Sequence, residues 1–218
     1  MFPLYAVALR LVYLIVGLFT TTRAVLVPIY QYREIILQMH NDIRRMEPAA
    51  NMKQLIYDPY LEERAAAWSE TCHFEHQRRG LGENLSYFSS TGSAIPPATV
   101  IRQSIQLWHG EKNLWGYSTT CGAACHYTQL VWAQTSRVGC ALSYCPVMQG
   151  AAFSTNSMYF VCFYSPAGNY YGQYPFILGL RCSRCEPGEF CLNGLCTTSG
   201  FRRKKRSTRS SLKQKCAD

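Results

Sequence analysis

The stretch CHYTQLVWAQTS, residues 125–136, places a histidine in front of a run of polar and then apolar residues. His126 has the chemistry of a catalytic base, a metal ligand or a buried packing residue, and its immediate neighbours leave all three open. Two other histidines differ from it. His40 lies near the apolar stripe of a predicted helix and is expected to pack there, whereas His109, beside Trp108, is expected to face solvent.

Two more histidines lie close to an acidic residue. His73 and His76 stand three residues apart in CHFEH, and Glu83 follows seven residues after His76 in GENL. Gly80 and Gly82 lie between them, a composition typical of a turn that directs side chains inward rather than of a regular surface face. This segment is a second candidate for chemistry.

Three helices are predicted to precede HYTQLVW. The first, within 30–47, has an apolar stripe with polar residues such as Asn41 and Arg44 between its members, which are Ile36, Met39, Ile43 and Met46. The second begins with Asp58 as its cap and Pro59 in its first turn. The third, from 98 to about 112, has one buried face, formed by Val100, Ser104, Leu107, Trp108 and Glu111.

Short β-like runs at 138–145 and 157–164 follow the motif. If they pair antiparallel with Cys140 opposite Cys162, Cys145 falls opposite Ser157, and directly opposed residues are close enough for a disulfide. Helices first and strands later predict an α+β domain in which helices cover an antiparallel sheet.

The first 24 residues are typical of a signal peptide. They carry Arg10, then an apolar run, then short residues before Ala24, after which cleavage is expected. The run is shorter than the roughly 20 residues of a membrane span. All eleven cysteines come later, in what would be an oxidising compartment, so disulfides are expected, and the odd number leaves one thiol over.

The net charge of +9 is not spread over the chain. Twelve Lys and Arg between residues 25 and 200 balance twelve Asp and Glu, and the excess lies in the signal segment and in residues 201–218. A neutral body does not favour nucleic-acid binding.

Four cysteines at 182–196 have the spacing C-x2-C-x5-C-x4-C. Two local disulfides are expected to define a small knot. A zinc site is the alternative, but the second half lacks the usual short pairing and the compartment is oxidising. The tail, 199–218, is almost without apolar residues and is expected to be disordered.

Five motifs in order resemble the CAP superfamily, which groups cysteine-rich secretory proteins, venom allergens and plant pathogenesis-related proteins. They are C-x-F-x-H at 72–76, GEN at 82–84, W-x-x-E at 108–111, HYTQLVW at 126–132 and YFVCFYSPAGNY at 159–170. The chain is most similar to the peptidase-inhibitor-like secreted branch. The resemblance implies a three-layer α-β-α sandwich.

In that family two histidines and two glutamates converge in a cleft, and the motifs place them on His76, Glu83, Glu111 and His126. The imidazoles of His76 and His126 would suit a divalent cation such as zinc, held weakly because solvent must complete the shell. Without metal the four groups can satisfy one another as a hydrogen-bonded network. No serine or cysteine has a motif that pairs it with either histidine, so no catalytic residue is assigned.

The resemblance also implies disulfide pairings. It joins Cys72 to Cys145 and Cys140 to Cys162, and likens the knot to the hinge of cysteine-rich secretory proteins, which would join Cys182 to Cys191 and Cys185 to Cys196. Cys121 offers Cys125 a partner four residues away. RKKR at 203–206 resembles a proprotein-convertase site, with Arg203 and Arg206 at the key positions, and cleavage there would discard Cys216. Alternatively, the basic tail attracts polyanions or anionic lipid.

These observations predict four parts: a signal peptide (1–24), a CAP or SCP domain (28–175), a hinge-like knot (176–198) and a basic tail (199–218). The protein is expected to be secreted and to need no cofactor, and the resemblance implies a sterol or small lipid as its ligand. The alternative is an extracellular modulator of a protein partner, and a metal-dependent hydrolase is least favoured. Neither a nucleic-acid partner nor a membrane span is expected.

Overall fold

The computed structural model of the chain describes residues 23–152 and 154–198. Most of the predicted signal peptide and the whole tail, with Arg203, Arg206 and Cys216, lie outside the described residues. The helices and strands of the described part follow in chain order: β1 (Val25–Leu26), a 3-10 helix (Ile29–Tyr32), α1 (Arg33–Met46), β2 (Ile56–Tyr57), α2 (Pro59–Ser69), β3 (Gly82–Ser89), α3 (Pro97–Gly110), a second 3-10 helix (Glu111–Leu114), α4 (Cys125–Leu130), β4 (Arg137–Val147), β5 (Thr155–Ser165), β6 (Phe190–Leu192) and β7 (Leu195–Thr197).

The main sheet has the strand order β1-β4-β5-β3, with antiparallel neighbours throughout. Cys140 lies opposite Cys162 and Cys145 opposite Ser157, so the predicted register is confirmed. The expectation of a purely antiparallel sheet is wrong in one place. β2 joins β4 as a two-residue parallel pair, because the chain enters α2 directly after crossing the edge of the sheet.

Alternation along β5 divides the core into two layers. Phe160, Cys162 and Tyr164 face α1, α3 and α4, while Tyr159, Val161 and Phe163 face α2. A sheet whose two faces are both apolar must be covered on both sides. The fold is therefore the α+β, three-layer α-β-α sandwich that the sequence predicts.

Local signals determine where α2 begins and how closely it packs. The Asp58 carboxylate accepts a hydrogen bond from the backbone N–H of Tyr60 at 2.9 Å, and Pro59 occupies the first turn. The helix crosses β4 at Gly139, where an added Cβ would collide with the backbone of Glu62. Glycine there lets the helix lie against the strand.

The prediction for α1 is partly wrong. Ile36 and Ile43 are buried, but Met46 is 52% exposed, and Asn41 and Arg44 are completely enclosed. The helix is covered on two sides, by the sheet and by the segments that precede β2 and follow α4, so its buried stripe is wider than its apolar one. On α3, Leu107 is likewise 59% exposed rather than buried.

Disulfides connect the layers. Cys72 is joined to Cys145 across 73 residues, and Cys140 to Cys162 between β4 and β5. In the chain-entropy picture the first of these stabilises the fold by roughly 4 kcal/mol. The remaining pairs are local: Cys121–Cys125, Cys182–Cys191 and Cys185–Cys196.

The knot packs against the domain through backbone hydrogen bonds. The backbone N–H of Cys196 donates to Met52 O, and Gln54 N–H donates to Cys196 O, both at 2.8 Å. The connecting segment makes a further backbone bond, from Ala50 N–H to Ile177 O at 2.8 Å. The predicted hinge is thus bound, through backbone hydrogen bonds, to the segment that connects α1 and β2.

Candidate functional site

The four predicted residues come together at one end of the sandwich. The ring centroids of His76 and His126 are 6.5 Å apart, and Glu83 and Glu111 each contact one of the two rings. His76 lies on the loop before β3, Glu83 on β3, Glu111 just after α3, and His126 on α4. Four elements from separate parts of the chain therefore meet in a single cleft.

His126 is held from several directions. Its Nδ1 lies 2.6 Å from Glu111 Oε1, and its backbone N–H donates to Glu111 Oε2 at 3.0 Å. Tyr127 N–H donates to the same oxygen at 3.2 Å, so the carboxylate also caps the start of α4. The ring stacks on Trp108 with centroids 6.1 Å apart.

Among the described residues, the His76 imidazole has Glu83 as its hydrogen-bond partner. Its Nδ1 lies 3.1 Å from Glu83 Oε2, and the imidazole is 45% exposed. The Glu83 side chain is 5% exposed and accepts backbone N–H bonds from Gln77 and Arg78, each at 2.7 Å. Glu83 thus shapes the loop that carries His76.

Carboxylates at Nδ1 determine the imidazole tautomer. A carboxylate accepts hydrogen bonds, so Nδ1 of each ring carries the proton and Nε2 keeps its lone pair. Each carboxylate therefore occupies the place that a carboxylate usually has beside a metal-ligating histidine, where it bonds the ring nitrogen that does not bind the metal. Among the described residues, one cluster alone brings three potential metal-binding side chains within 4.8 Å of one another, Cys182, Cys185 and Cys196, and all three sulfurs lie in disulfides.

A buried hydrogen-bonded chain lies beneath the cleft. Asn84 Nδ2 donates to His126 O at 3.1 Å and to the Tyr164 hydroxyl at 3.2 Å. That hydroxyl donates to His40 Nε2 at 3.0 Å, while His40 Nδ1–H donates to Ile36 O at 2.7 Å. Burial, helped by the positive charge of Arg44, lowers the pKa of His40 to about 4, so the ring is neutral. His40 packs as predicted.

Arg44 clamps the segment that follows α4. Its guanidinium is fully buried and donates to five backbone carbonyls at 2.8–3.2 Å, those of Lys53, Leu130, Trp132, Ala133 and Thr135. Burial lowers its pKa to about 9, which still leaves it charged at neutral pH. The cation complements the carbonyl end of the helix that begins beside His126.

The cleft has a volume of about 300 Å³. The Gln129 side chain lines the cleft. It requires glycine at positions 82 and 168, because a Cβ on Gly82 or Gly168 would collide with it. The Cys121–Cys125 disulfide lies on the rim. Cys125, the residue next to His126, is therefore not available as a thiolate nucleophile.

A second, wider groove of about 810 Å³ adjoins the site at Glu111. Its apolar members are Phe88, Leu107 and Leu114, and the two leucines are 59% and 65% exposed. Exposed leucines on a concave surface are typical of a ligand site.

Residues 37–164 match the family described as the cysteine-rich secretory protein family, CAP. Human GLIPR1-like protein 1 is 36% identical over 178 residues, which cover 74% of this chain and 69% of the relative. This chain belongs to the CAP family. Bovine peptidase inhibitor 16 is 37% identical over 172 residues, 75% of this chain, but the match spans only 36% of that protein.

Solved structures share the CAP fold. The crystal structure of NaASP2 with Zn2+ has 32% sequence identity and a TM-score of 0.63, covering 77% of this chain and 96% of that one. The hookworm platelet inhibitor has 26% identity and a TM-score of 0.62, with 77% and 90% covered. In residues 23–152 and 154–198, no helix has the length and hydropathy to span a bilayer.

Two residues of this CAP-domain site, Gln129 and Arg44, were not predicted to take part, whereas the asparagine of GEN, Asn84, was expected to be buried near the cleft and is. Gln129 carries no signal of its own. For Arg44 a signal existed, because it lies four residues after His40, which is itself four after Ile36, on one helix face. The expectation that His109 faces solvent is wrong: it is half-buried, since its ring packs 6.2 Å from that of Tyr127.

Proposed function

We propose that the protein is a secreted CAP-domain binding protein that holds a divalent cation, zinc in the first instance, on His76 and His126, and a sterol or other small lipid in the adjoining groove. The cation part depends on one observation: both imidazoles have a carboxylate at Nδ1 and a lone pair left on Nε2. The ring centroids are 6.5 Å apart, so holding one ion on both Nε2 atoms would require a movement of the His76 side chain, which its 45% exposure leaves room for.

A bound cation would supply positive charge in the cleft for an anionic or carbonyl group of a ligand. Two imidazoles with solvent completing the shell make an exchangeable site rather than a closed structural one. The crystal structure of the similar protein NaASP2 was determined with Zn2+, which supports the proposal.

Zinc titration calorimetry of the oxidised, full-length protein tests the cation site. His76→Ala and His126→Ala are each expected to weaken zinc binding at least about tenfold, because each removes half of the protein's ligands. His73→Ala is the matched control: it is a nearby histidine that does not line the cleft. Equal zinc affinity in all four proteins would refute the site.

The lipid part depends on Leu107 and Leu114, apolar side chains left exposed on one groove. A radiolabelled sterol and a radiolabelled fatty acid are the probes. Leu107→Glu and Leu114→Glu should reduce binding about tenfold or more, since a charge placed on the groove wall must be desolvated. Leu180→Glu, at an 82% exposed residue off the groove, should leave binding unchanged. Undiminished binding in the groove variants would remove the lipid assignment.

Modulation of an extracellular protein is the second candidate. Three exposed tyrosines support it, Tyr170, Tyr171 and Tyr174, with exposures of 51%, 93% and 51%. Tyrosines are enriched at protein interfaces, and relatives include proteins named peptidase inhibitors. Inhibition of a panel of secreted peptidases by the wild type, lost in Tyr171→Ala, would favour this function over lipid binding.

Secretion agrees with the five disulfides among the described residues, because disulfides form and persist mainly in oxidising compartments. Cleavage after Arg206, which would remove Cys216, stays a prediction that intact-mass analysis of secreted protein tests. We assign no catalytic residue. Any hydrolytic activity that survives His76→Ala and His126→Ala would not belong to this cleft.

A further inference from the structure

A third cavity lies where the knot's connecting segment meets the CAP domain. It has a volume of about 280 Å³, is separate from the His/Glu cleft and the leucine groove, and has eight lining residues: Glu47, Pro48, Lys112, Trp115, Tyr117, Tyr127, Phe176 and Leu178. Four of the eight are aromatic. Ligand sites occur preferentially at such junctions.

The rings form a cluster around Trp115. Its centroid lies 5.4 Å from that of Tyr117, 5.6 Å from Tyr127 and 5.8 Å from Phe176. Tyr117 takes a left-handed backbone conformation, φ 47°, to reach this position, and its hydroxyl donates to Phe176 O at 3.1 Å. A bulky residue adopts that conformation at an energetic cost, and such costs concentrate at ligand sites.

A buried carboxylate accompanies the rings. The Glu47 side chain is 2% exposed, and its two oxygens accept hydrogen bonds from Lys112 Nζ at 2.8 and 3.0 Å. Aromatic faces with a carboxylate recognise quaternary ammonium groups, which have no N–H to donate and are held by ring quadrupoles and charge. Because Lys112 already neutralises Glu47, a simple cation gains little net attraction here.

Two donors lie on the same cavity. Lys112 is 42% exposed, and its ammonium has three N–H groups, so it keeps donor capacity for an anion at the mouth. The Tyr127 hydroxyl is fully buried near Glu47, yet makes no hydrogen bond with any of the described residues. Burial, together with the charge and the nearby carboxylate oxygens of Glu47, raises the pKa of Tyr127, so the phenol keeps its proton and remains a hydrogen-bond donor.

We propose that this junction cavity binds phosphocholine, with its trimethylammonium group against the aromatic rings and Glu47 and its phosphate on Lys112 and Tyr127. The shared chemistry is a quaternary ammonium a few bonds from a phosphate, present both in the free zwitterion and in the headgroup of choline phospholipids. Such a ligand interacts favourably with both members of the Glu47–Lys112 pair. The site does not depend on the cleft or on the leucine groove.

Calorimetry and saturation-transfer NMR of the N-methyl protons test the proposal on the full, oxidised chain. Phosphocholine should bind saturably and at least about tenfold more tightly than choline or inorganic phosphate alone, because each of these engages only half of the site. Choline binding as tightly as phosphocholine would overturn the phosphate contacts. An absence of saturable phosphocholine binding up to about 10 mM would overturn the site.

Variants locate the binding. Tyr117→Asn removes a ring while keeping a residue that tolerates the left-handed conformation, and Glu47→Gln removes the charge at constant size; each should weaken phosphocholine about tenfold. Tyr171→Asn, at a 93% exposed tyrosine off this cavity, is the control. If Glu47→Gln fails to fold by circular dichroism, Tyr117→Asn decides, and wild-type affinity in that variant contradicts the proposal.

Vesicle sedimentation separates the two sources of the headgroup. Co-sedimentation with phosphatidylcholine vesicles but not with phosphatidylglycerol vesicles supports the phospholipid as ligand. Binding of free phosphocholine without co-sedimentation supports the soluble zwitterion. Equal sedimentation with both vesicles, unaffected by Tyr117→Asn, contradicts recognition by this cavity.

Discussion

The two histidine–carboxylate pairs of the cleft are chemically alike but differ in how the fold holds them. His126 begins a helix whose first amides bond to Glu111, stacks on Trp108, and has its carbonyl bonded by Asn84. His76 lies on a loop, 45% exposed, with Glu83 as its hydrogen-bond partner. One side of the cleft is preorganised and the other is adjustable. Ordering costs on binding therefore fall on the His76 loop.

The largest expected effect, on the free energy of unfolding, comes from removing the Arg44 guanidinium on the His126 side of the cleft. Arg44→Met leaves five buried carbonyls without their donor, and we expect it to reduce the free energy of unfolding by about 3–5 kcal/mol. Urea denaturation of the oxidised protein measures this. Arg45→Met, which removes a half-exposed ion pair with Asp42 on the same helix, should cost less than about 1 kcal/mol. Similar losses in the two variants would contradict the clamp.

The pH dependence of stability tests the buried chain below His126. The pKa of His40 is about 4 in the folded protein and about 6.5 when unfolded. Between those values the unfolded state binds the proton and the folded state does not. The free energy of unfolding is therefore not reduced by His40 above pH 6.5, and it falls by up to about 3 kcal/mol as the pH drops towards 4.

Denaturation series at pH 7, 6, 5 and 4.5 measure that slope. His40→Gln should flatten it over this window, although the variant is less stable at pH 7. His73→Gln, which changes a half-exposed histidine outside the buried chain, should keep the wild-type slope. An unchanged slope in His40→Gln would mean that His40 does not account for the loss.

The smallest expected effect is a difference in hydrogen exchange between the His76 loop and the start of α4. Glu83→Gln replaces an acceptor of the Gln77 and Arg78 amides with an NH2 group, so we expect about tenfold faster hydrogen exchange across 76–81. Glu111→Gln disturbs α4 in the same way. Exchange at 126–130 should nevertheless change less, because Arg44 and Asn84 still hold that segment. Equal acceleration in both places would show that the two sides are equally rigid.

Local signals predicted the elements well. The Asp58 cap and the helices-then-strands order depend on contacts between near neighbours or on alternation, both of which are visible in a chain. The motif resemblance placed the four cleft residues and implied the pairing of Cys140 with Cys162. Met46 and Leu107 were predicted wrongly because helix periodicity shows which residues share a face, but not how far neighbouring elements extend over it.

The sequence by itself determined which groups are available: two imidazoles, two carboxylates, paired cysteines and a neutral folded body. Only the tertiary structure decided how they differ. It alone buries Arg44 against carbonyls from two distant segments, joins His40 to His126 through Tyr164 and Asn84, and gathers four aromatic rings around Glu47. The reason is physical: desolvation and hydrogen-bond geometry depend on neighbours far apart in the chain, and residue types do not encode them one position at a time.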